Sequence, residues 1–403
     1  MLKIFIKLAL IICATALLVG TASAGFLKSL DFITQIRLNH SWLIYGLPLI
    51  GFIIGWMYLK VTPSLHNGNE IIMSDYLNEE NKSIPFSLAP MIFTSTLLTH
   101  LGGGSAGREG TAVQMGASIS SQFNRWISLD KTSQRLLTCI GVSAGFAGVF
   151  GTPIAASIFA LEFFSFKKTK WFFILPTLLT AYLAHWTCLN WGIQHASYTL
   201  VTFNDYSFQS IGWIGVAGIL FGLTAMLYIF SFNFFSSIFS KIHYHPLRTL
   251  LGGVILAAII ILMGQEKMTG LGLQNIADAF IHPQGHWDFL IKLLLTSFTL
   301  SVGFKGGEVT PLFFIGAVLG SVLVTFIPLP ISLLAGLGLI AVFAGATNCV
   351  ISSILLGIEL FGIQYSCYII IACAIAYLFS GTKSIYTDRP KGWLKEKIAA
   401  YFL

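Results

Sequence analysis

Charge is what this sequence has least of. Only 10% of its 403 residues are charged, whereas 55% are hydrophobic. A soluble domain carries about 25% charged residues, so the composition excludes an ordinary soluble protein and predicts an all-α polytopic membrane protein in a lipid bilayer. The formal net charge of +7 does not indicate nucleic-acid binding, because the basic residues collect in short polar loops. Such loops are typical of the cytoplasmic side of a membrane protein.

Metal-binding and catalytic patterns are also missing. The six cysteines lie apart in apolar segments without CxxC spacing, so we expect them to pack rather than to form disulfides or bind a metal. There is no His-Glu-x-x-His pair and no nucleophile with a base placed beside it. We therefore expect no metal, no cofactor and no enzymatic activity.

Polar stretches long enough for a soluble domain are absent as well. Residues 1–403 are therefore expected to form a single transmembrane domain, with 381–403 as a C-terminal helix on the cytoplasmic side, too short to fold alone. The first 24 residues imitate a signal peptide, with Lys3 and Lys7 before an apolar run. In a chain with many later spans, a first transmembrane helix is the better interpretation. The sequence thus predicts a multi-pass protein of the cell (inner) membrane.

Apolar segments of two kinds are present. Long segments approach the about 20 residues that a membrane span needs. Shorter, glycine-interrupted segments lie between them, at 71–79, 110–123, 135–165, 272–281, 308–326 and 332–362. Interrupted helices at membrane depth are tolerated where they line a cavity or are buried in protein. We therefore expect re-entrant half-helices.

An internal repeat relates the two halves of the chain. Residues 107–116 align with 307–316, at a spacing of about 200 residues, and 145–148 align with 342–345. The halves run from about 41–191 and 208–380. Interrupted helices at matching positions of two repeats are typical of a transporter whose site lies at the repeat interface.

The stretch from Gly102 to Gly116 contains Glu109, an acidic residue inside the apolar part of the chain. An intramembrane carboxylate is a functional-site hypothesis by default, and a helix that opens after a glycine turn directs its free N–H groups at a ligand. Deprotonated, Glu109 would compete with an anion for these donors; protonated, it would move away and carry a proton. The alternative is an ion pair with Arg108, which we expect to be geometrically poor because adjacent helix residues do not face one another.

Three motifs resemble those of the CLC family of chloride channels and proton-coupled anion antiporters. They are Gly-Arg-Glu-Gly at 107–110, Gly-Gly-Glu-Val-Thr-Pro at 306–311 and Ser-Ile-Tyr at 384–386. The first is similar to the gating-glutamate motif, the second to the motif that opens a pore-lining helix, and the third to the C-terminal tyrosine segment. The resemblance implies a CLC-like fold with two inverted repeats, and a homodimer with one pathway per subunit.

Departures from the common CLC pattern resemble the fluoride-exporting branch of the family. They are Gly-Asn-Glu-Ile at 68–71, Thr111 in place of the usual proline, and Gly-Glu-Val-Thr-Pro at 307–311. The resemblance implies exchange of fluoride for protons, with Glu109 as the gating and proton-carrying glutamate. A chloride or halide channel, or a chloride/proton antiporter of the same fold, is the alternative.

The candidate anion-binding residues lie at helix starts and at the mouth of the pathway. Thr310 offers a hydroxyl, or acts as an N-cap; the ring edge of Phe314 is partly positive, or the ring only packs. Asn69 offers an amide, or caps a helix, and Tyr386 resembles the inner-pore tyrosine, with a membrane-interface tyrosine as the alternative. The full set is Asn69, Gly110, Thr111, Val309, Thr310, Phe314 and Tyr386.

A second proton relay is expected to be absent. In the chloride/proton antiporters that the chain resembles, an internal glutamate relays protons, and Phe163 occupies the matching position. Its neighbour Glu162 is therefore expected to be structural. Glu70 is expected to turn aside as a first-turn carboxylate that the helix dipole stabilises.

Overall fold

The fold is all-α, as predicted. The computed structural model describes residues 2–61, 68–77, 84–127, 129–166, 169–264 and 266–386, so most of the predicted C-terminal helix at 381–403 lies outside the described residues. Short 3₁₀ helices lie at Ser41–Gly46, Trp171–Phe173, Glu266–Met268 and Ile363–Tyr365. The α-helices are α1 (Leu2–Asn39), α2 (Leu47–Val61), α3 (Gly68–Leu77), α4 (Leu88–Leu101), α5 (Glu109–Ser121), α6 (Phe123–Ile127), α7 (Lys131–Phe150), α8 (Pro153–Phe163), α9 (Ile174–Asn190), α10 (Phe208–Phe239), α11 (His245–Leu262), α12 (Leu273–Ala279), α13 (Asp288–Ser301), α14 (Val309–Leu323), α15 (Ile331–Thr347), α16 (Val350–Phe361) and α17 (Ser366–Phe379).

Helices long and apolar enough to cross a membrane account for part of the chain. They are Ile6–Asn39, Ser41–Lys60, Trp171–Asn190, Phe208–Phe239 and His245–Leu262. The first forms part of the packed protein, because Phe26 and Leu30 on α1 are fully buried. This agrees with a structural first helix. The chain is thus a multi-pass membrane protein.

Interrupted helices occur at matching positions in the two halves. The predicted segment 135–165 covers most of α7 and all of α8, and 332–362 covers most of α15 and all of α16. Gly151 ends α7 with φ 76°, and Asn348 ends α15 with φ 59°. Glycine adopts this left-handed conformation without steric cost and asparagine is one of the few other residues that visit it, which explains both interruptions.

A pair of glycines joins the two halves. Gly107 and Gly307 form an antiparallel bridge in which the Gly107 N–H donates to the Gly307 carbonyl at 2.6 Å and the Gly307 N–H to the Gly107 carbonyl at 2.8 Å. These residues are the ones that the repeat alignment matches. The bridge sets the starts of α5 and α14 side by side. The predicted repeat boundaries stay predictions. In the order of the helices along the chain, α1 has the place in the first half that α10 has in the second.

Small residues let the helices behind this bridge approach closely. A Cβ atom at Gly116 on α5 would lie 2.1 Å from the Gly141 carbonyl oxygen on α7, and one at Gly316 on α14 would lie 2.0 Å from that of Gly338 on α15. Membrane helices use glycine at such contacts because packing rather than the hydrophobic effect holds them together. The backbone framework around the site is therefore tightly packed in both halves.

Two glutamates reach across the halves. The Glu162 carboxylate, on α8, accepts hydrogen bonds from the Ile351 and Ser352 N–H groups at 3.2 and 2.8 Å. In return, the Glu359 carboxylate, on α16, accepts from the Ile154 and Ala155 N–H groups at 3.0 and 2.6 Å. Each carboxylate satisfies free donors in the first turn of the other helix. These contacts support the structural role predicted for Glu162.

Candidate anion-binding site

Glu109 lies at the start of α5 and reaches the start of α14. The residue is almost fully buried, with 1% exposure. One carboxylate oxygen, Oε2, accepts hydrogen bonds from the Thr310 backbone N–H at 3.0 Å and from the Thr310 hydroxyl at 2.5 Å. The first N–H groups of a helix attract anions because they lack partners within the helix and the dipole is positive there. The carboxylate therefore occupies a place suited to a free anion.

The Gly107–Gly307 bridge positions these two helix starts, and it leaves no room for side chains. A Cβ atom at Gly307 would lie 2.6 Å from the Gly110 backbone nitrogen, and one at Gly107 would lie 2.9 Å from the Gly307 carbonyl oxygen. Glycine is thus a steric requirement at both positions.

Arg108 does pair with Glu109, so the expectation of a geometrically poor pair was wrong. Its Nε lies 3.4 Å from Glu109 Oε1, and its backbone N–H donates to Oε2 at 3.3 Å. Arg108 is the N-cap residue, with φ −120°, so the side-chain directions of a regular helix do not apply to it. Both contacts are longer than those with Thr310, which holds the carboxylate more closely.

The start of α14 is where the sequence predicts it. Val309 is the first helical residue, and Glu308 occupies the N-cap position. Thr310 therefore lies in the first turn, and its hydroxyl donates to Glu109 rather than capping the helix. The predicted anion-binding roles of Val309 and Thr310 stay predictions that this arrangement favours.

A small cavity, here named the gate cavity, adjoins the Glu109–Thr310 contact. Its lining includes Arg108, Glu109, Thr310 and Phe313. The neighbouring Phe314 is fully buried, and the Lys292 ammonium lies 5.1 Å from its ring centroid. Since Lys292 covers one face of the ring, an edge contact between Phe314 and an ion stays a prediction.

A second cavity, of about 120 Å³ and here named the vestibule, lies near α3. Its lining includes Asn69, Gln114 and Tyr386. The Gln114 Nε2 donates to Asn69 Oδ1 at 3.1 Å, an arrangement that leaves the NH₂ group of Asn69 for another partner. Gly68 permits this contact, because a Cβ atom there would lie 2.0 Å from Gln114 Oε1. Both predicted mouth residues, Asn69 and Tyr386, thus line one cavity.

Phe163 lies beside Tyr386 in the same cavity. Their rings meet edge to face, with centroids 4.7 Å apart and an interplanar angle of 76°, and Phe163 also lines the vestibule. The side chain at the position matched to the relay thus faces this cavity. It packs on Tyr386 and offers no exchangeable proton.

The Thr111 side chain is engaged away from the glutamate. Its hydroxyl forms a buried hydrogen bond of 2.8 Å with the Thr96 hydroxyl on α4. Gly110 lies against the backbone of Gly307. Anion binding by Gly110 and Thr111 therefore rests on their backbone N–H groups and stays a prediction.

Three charged residues of the vestibule lie outside the predicted site. Glu70, Lys305 and Glu308 all line the cavity. Glu70 lies in the first turn of α3, as expected, but it does not turn away from the cavity. Glu308 was visible in the motif at 306–311, at the position that the repeat matches to Arg108. Charged residues within apolar segments are a functional signal. Which way the segment before α14 turns, however, is decided by tertiary packing.

These features identify the general class of protein. They describe a polytopic membrane protein in which two interrupted helices, one from each half, meet at a buried carboxylate. A family model described as voltage gated chloride channel matches residues 50–381. The chain belongs to this family, the CLC family.

Individual relatives agree with that assignment. The chain is 38% identical over 387 residues to a chloride/fluoride channel protein of Pseudomonas syringae pv. tomato, covering 94% of this chain and 85% of the relative. It superposes on a crystal structure of a CLC-type fluoride/proton antiporter with a TM-score of 0.91 and 37% identity, covering 95% and 97% of the two chains. A slow cyanobacterial Cl⁻/H⁺ antiporter, at 21% identity and a TM-score of 0.82 over 98% of each chain, shares the fold.

Proposed function

We propose that this protein is a secondary active transporter that exchanges fluoride for protons and so exports fluoride from the cell. The observation that carries the proposal is the Glu109 carboxylate on the N–H and hydroxyl of Thr310. The names of two relatives, a chloride/fluoride channel protein and a fluoride/proton antiporter, support fluoride as the substrate.

One side chain couples the two ions in this mechanism. An ionised Glu109 competes with an anion for the donors at the start of α14, because both carry negative charge. When Glu109 binds a proton, it loses the charge that these donors stabilise, and it leaves the place to the anion. The proton therefore moves with Glu109 when the anion takes its position, which links the two movements in opposite directions.

Thr310 supplies much of the proposed preference for a small anion. Its hydroxyl and backbone N–H point at one oxygen of Glu109, and an anion in that place receives the same two donors. Gly110, Thr111 and Val309 contribute backbone N–H groups in this proposal, and Phe314 contributes a ring edge. Asn69 and Tyr386 contact the ion in the vestibule.

The vestibule also offers an acceptor for the proton. Phe163 cannot take part, but Glu308 lines the cavity and is two residues from Thr310. We place the proton acceptor of the vestibule side at Glu308, with Glu70 as a second carboxylate in the same cavity. This assignment gives the proton a path that bypasses the position of the missing relay.

The proposed setting is the inner membrane, with the C-terminus and the vestibule on the cytoplasmic side. The basic short loops support this orientation, and Tyr386, close to the C-terminus, lines the vestibule. A homodimer with one pathway per subunit is what the resemblance to CLC proteins implies.

The function is tested with purified protein in liposomes that are loaded with fluoride. Fluoride release and external pH are recorded together. Exchange predicts proton uptake that accompanies fluoride release and is lost in Glu109→Gln, which keeps the shape of the side chain but cannot carry a proton. Fluoride release without proton movement in the wild type would instead favour a channel, and faster release of chloride than of fluoride would favour a chloride transporter.

A further inference from the structure

We propose that the ammonium group of Lys305 binds a halide ion in the vestibule, at a site separate from the donors that hold Glu109. The inference rests on the proposed function, because it takes the vestibule to be a part of an anion pathway. Lys305 belongs to the segment between α13 and α14 and lines the vestibule. None of the three family motifs supplies this cation.

Neighbouring elements hold Lys305 in place. Its backbone N–H donates to the Thr99 hydroxyl at 3.3 Å, which attaches the segment to α4. Its ammonium lies 4.4 Å from the centroid of the Tyr58 ring on α2, within the range of a cation–π contact. Tyr58 lines the same cavity. The charge therefore belongs to a residue that is held in the cavity wall.

The charges of the cavity give Lys305 its importance. Glu70 and Glu308 also line the vestibule, and Glu70 is close enough to Lys305 for their charges to interact. Electrostatic forces are stronger in a protein interior than in water because the effective dielectric constant is lower. Among the described residues that line the vestibule, Lys305 is the one cation that opposes these two carboxylates. The ammonium supplies the attraction that lets an anion share this space, and it has N–H donors to bind it.

A purely structural role for the lysine is less consistent with the repeat. The matching position in the first half is Ser105, which forms a buried hydrogen bond of 2.8 Å with Thr296. The equivalent segment before α5 therefore folds around a neutral side chain. At this pair of positions the positive charge is present only in the half whose segment lines the vestibule, which indicates that it serves the cavity.

The test measures initial rates of fluoride efflux from liposomes at increasing internal fluoride concentrations. Lys305→Met removes the charge and retains the length, and we expect the half-saturating concentration to rise on the order of tenfold, equivalent to about 1.4 kcal/mol. Lys305→Arg keeps the charge and should keep the low half-saturating concentration. A Lys305→Met protein with the concentration dependence of the wild type would overturn the proposal.

Glu70→Gln is a second variant, for which we expect a shift of the half-saturating concentration opposite to that of Lys305→Met. The substitution keeps the shape and removes a negative charge that opposes Lys305, so the half-saturating fluoride concentration should fall. Misfolding lowers rates without improving affinity, so a lower half-saturating concentration shows that the charges of the vestibule act on the anion, and Lys305→Met against Lys305→Arg then assigns the attraction to the ammonium. An unchanged or higher half-saturating concentration in Glu70→Gln contradicts the inference.

Chloride separates the inference from the proposed function. If the wild type releases no fluoride, the fluoride/proton assignment fails, and the same variants are then measured with chloride, which a fixed cation attracts as well. If the wild type does release fluoride and neither variant shifts its concentration dependence, the role of Lys305 alone is rejected.

Discussion

The two halves of the chain share a backbone and differ in charge. Gly107 and Gly307 exchange hydrogen bonds as equals, and each precedes a helix that faces the junction. Two residues later, however, the first half has Glu109 and the second half has Val309. The Glu109 carboxylate can therefore accept hydrogen bonds from the start of α14. Val309, at the matching position, has no carboxylate to accept them from the start of α5. A symmetric framework thus supports an asymmetric site.

The two cavities repeat this difference on a larger scale. Leu273 and Ile276 on α12 line the gate cavity, whereas Asn69 and Glu70 on α3, a short helix about 200 residues earlier, line the vestibule. The lining residues of α12 are apolar, whereas α3 contributes two polar residues beside Met73. The comparison indicates that repeat pairs are guides to backbone position, and that each side chain has to be interpreted in its own half.

The largest effect is expected from breaking the shared framework. In Gly307→Ala the new Cβ atom would meet the Gly110 nitrogen at 2.6 Å, and overpacking of this kind costs about 1–3 kcal/mol. We expect a lower thermal midpoint in detergent and strongly reduced fluoride efflux. Gly212→Ala on α10 is the matched control, because a Cβ atom there meets nothing within 4 Å. Equal behaviour of the two variants would contradict the steric role of the bridge.

A smaller effect should distinguish the two threonines at the helix starts. Thr310→Ala removes a hydroxyl that donates to Glu109, at the position proposed for the anion. Since a hydrogen bond contributes about 1 kcal/mol, we expect about a fivefold change in the ratio of fluoride to chloride flux. Thr111→Ala breaks a bond with Thr96 and should leave the ratio unchanged. Paired efflux measurements with the two halides check both, and an unchanged ratio in Thr310→Ala removes its hydroxyl from the site.

The smallest effect concerns the caps of α7 and α15. Asp130 caps α7 by accepting from the Thr132 N–H at 3.2 Å and the Ser133 hydroxyl at 2.6 Å, whereas Pro330, at the matching position, has no side-chain acceptor. These hydrogen bonds, that of Ser133 first, lower the pKa of Asp130 from its usual 3.8. Asp130→Ala should cost about 0.5 kcal/mol, measured as the unfolding midpoint in detergent.

The pH dependence of that difference follows from the sign of the shift. Because the folded state has the lower pKa, the stabilisation by Asp130 is complete above the unfolded value and is lost as pH falls below it and through the folded value. The two proteins should therefore differ at neutral pH and converge below about pH 3.8. A difference that is retained in acid would exclude the carboxylate as its source.

Most of the framework could be predicted from the sequence, because interrupted apolar segments and the repeat are visible in one dimension. The start of α14 at Val309 and the approach of Glu109 to it belong to this group. The pairing of Arg108 with Glu109 was missed because it depends on the dihedral angles of a single N-cap residue. Phe313 rather than Phe314 lines the gate cavity because neighbouring helix residues point in different directions, and a motif does not state the rotation of its helix.

The inward turn of the segment before α14 was also beyond the sequence. Lys305 and Glu308 reach the vestibule because the segment is attached to α4 through Thr99 and to the first half through Gly307. Such long-range contacts leave no periodic signal. The sequence shows these two residues as charges within an apolar segment, but it does not show that they line the vestibule.

The exchange of glutamates between α8 and α16 has a consequence for biogenesis. Glu162 accepts from N–H groups at the start of α16, which is synthesised some 190 residues later. Glu359 accepts from N–H groups at the start of α8, which is synthesised some 200 residues earlier. During synthesis, the N–H groups at the start of α8 therefore lack this acceptor until the second half has been inserted into the membrane. Separately expressed halves should consequently be poor substitutes for the continuous polypeptide unless they are synthesised together.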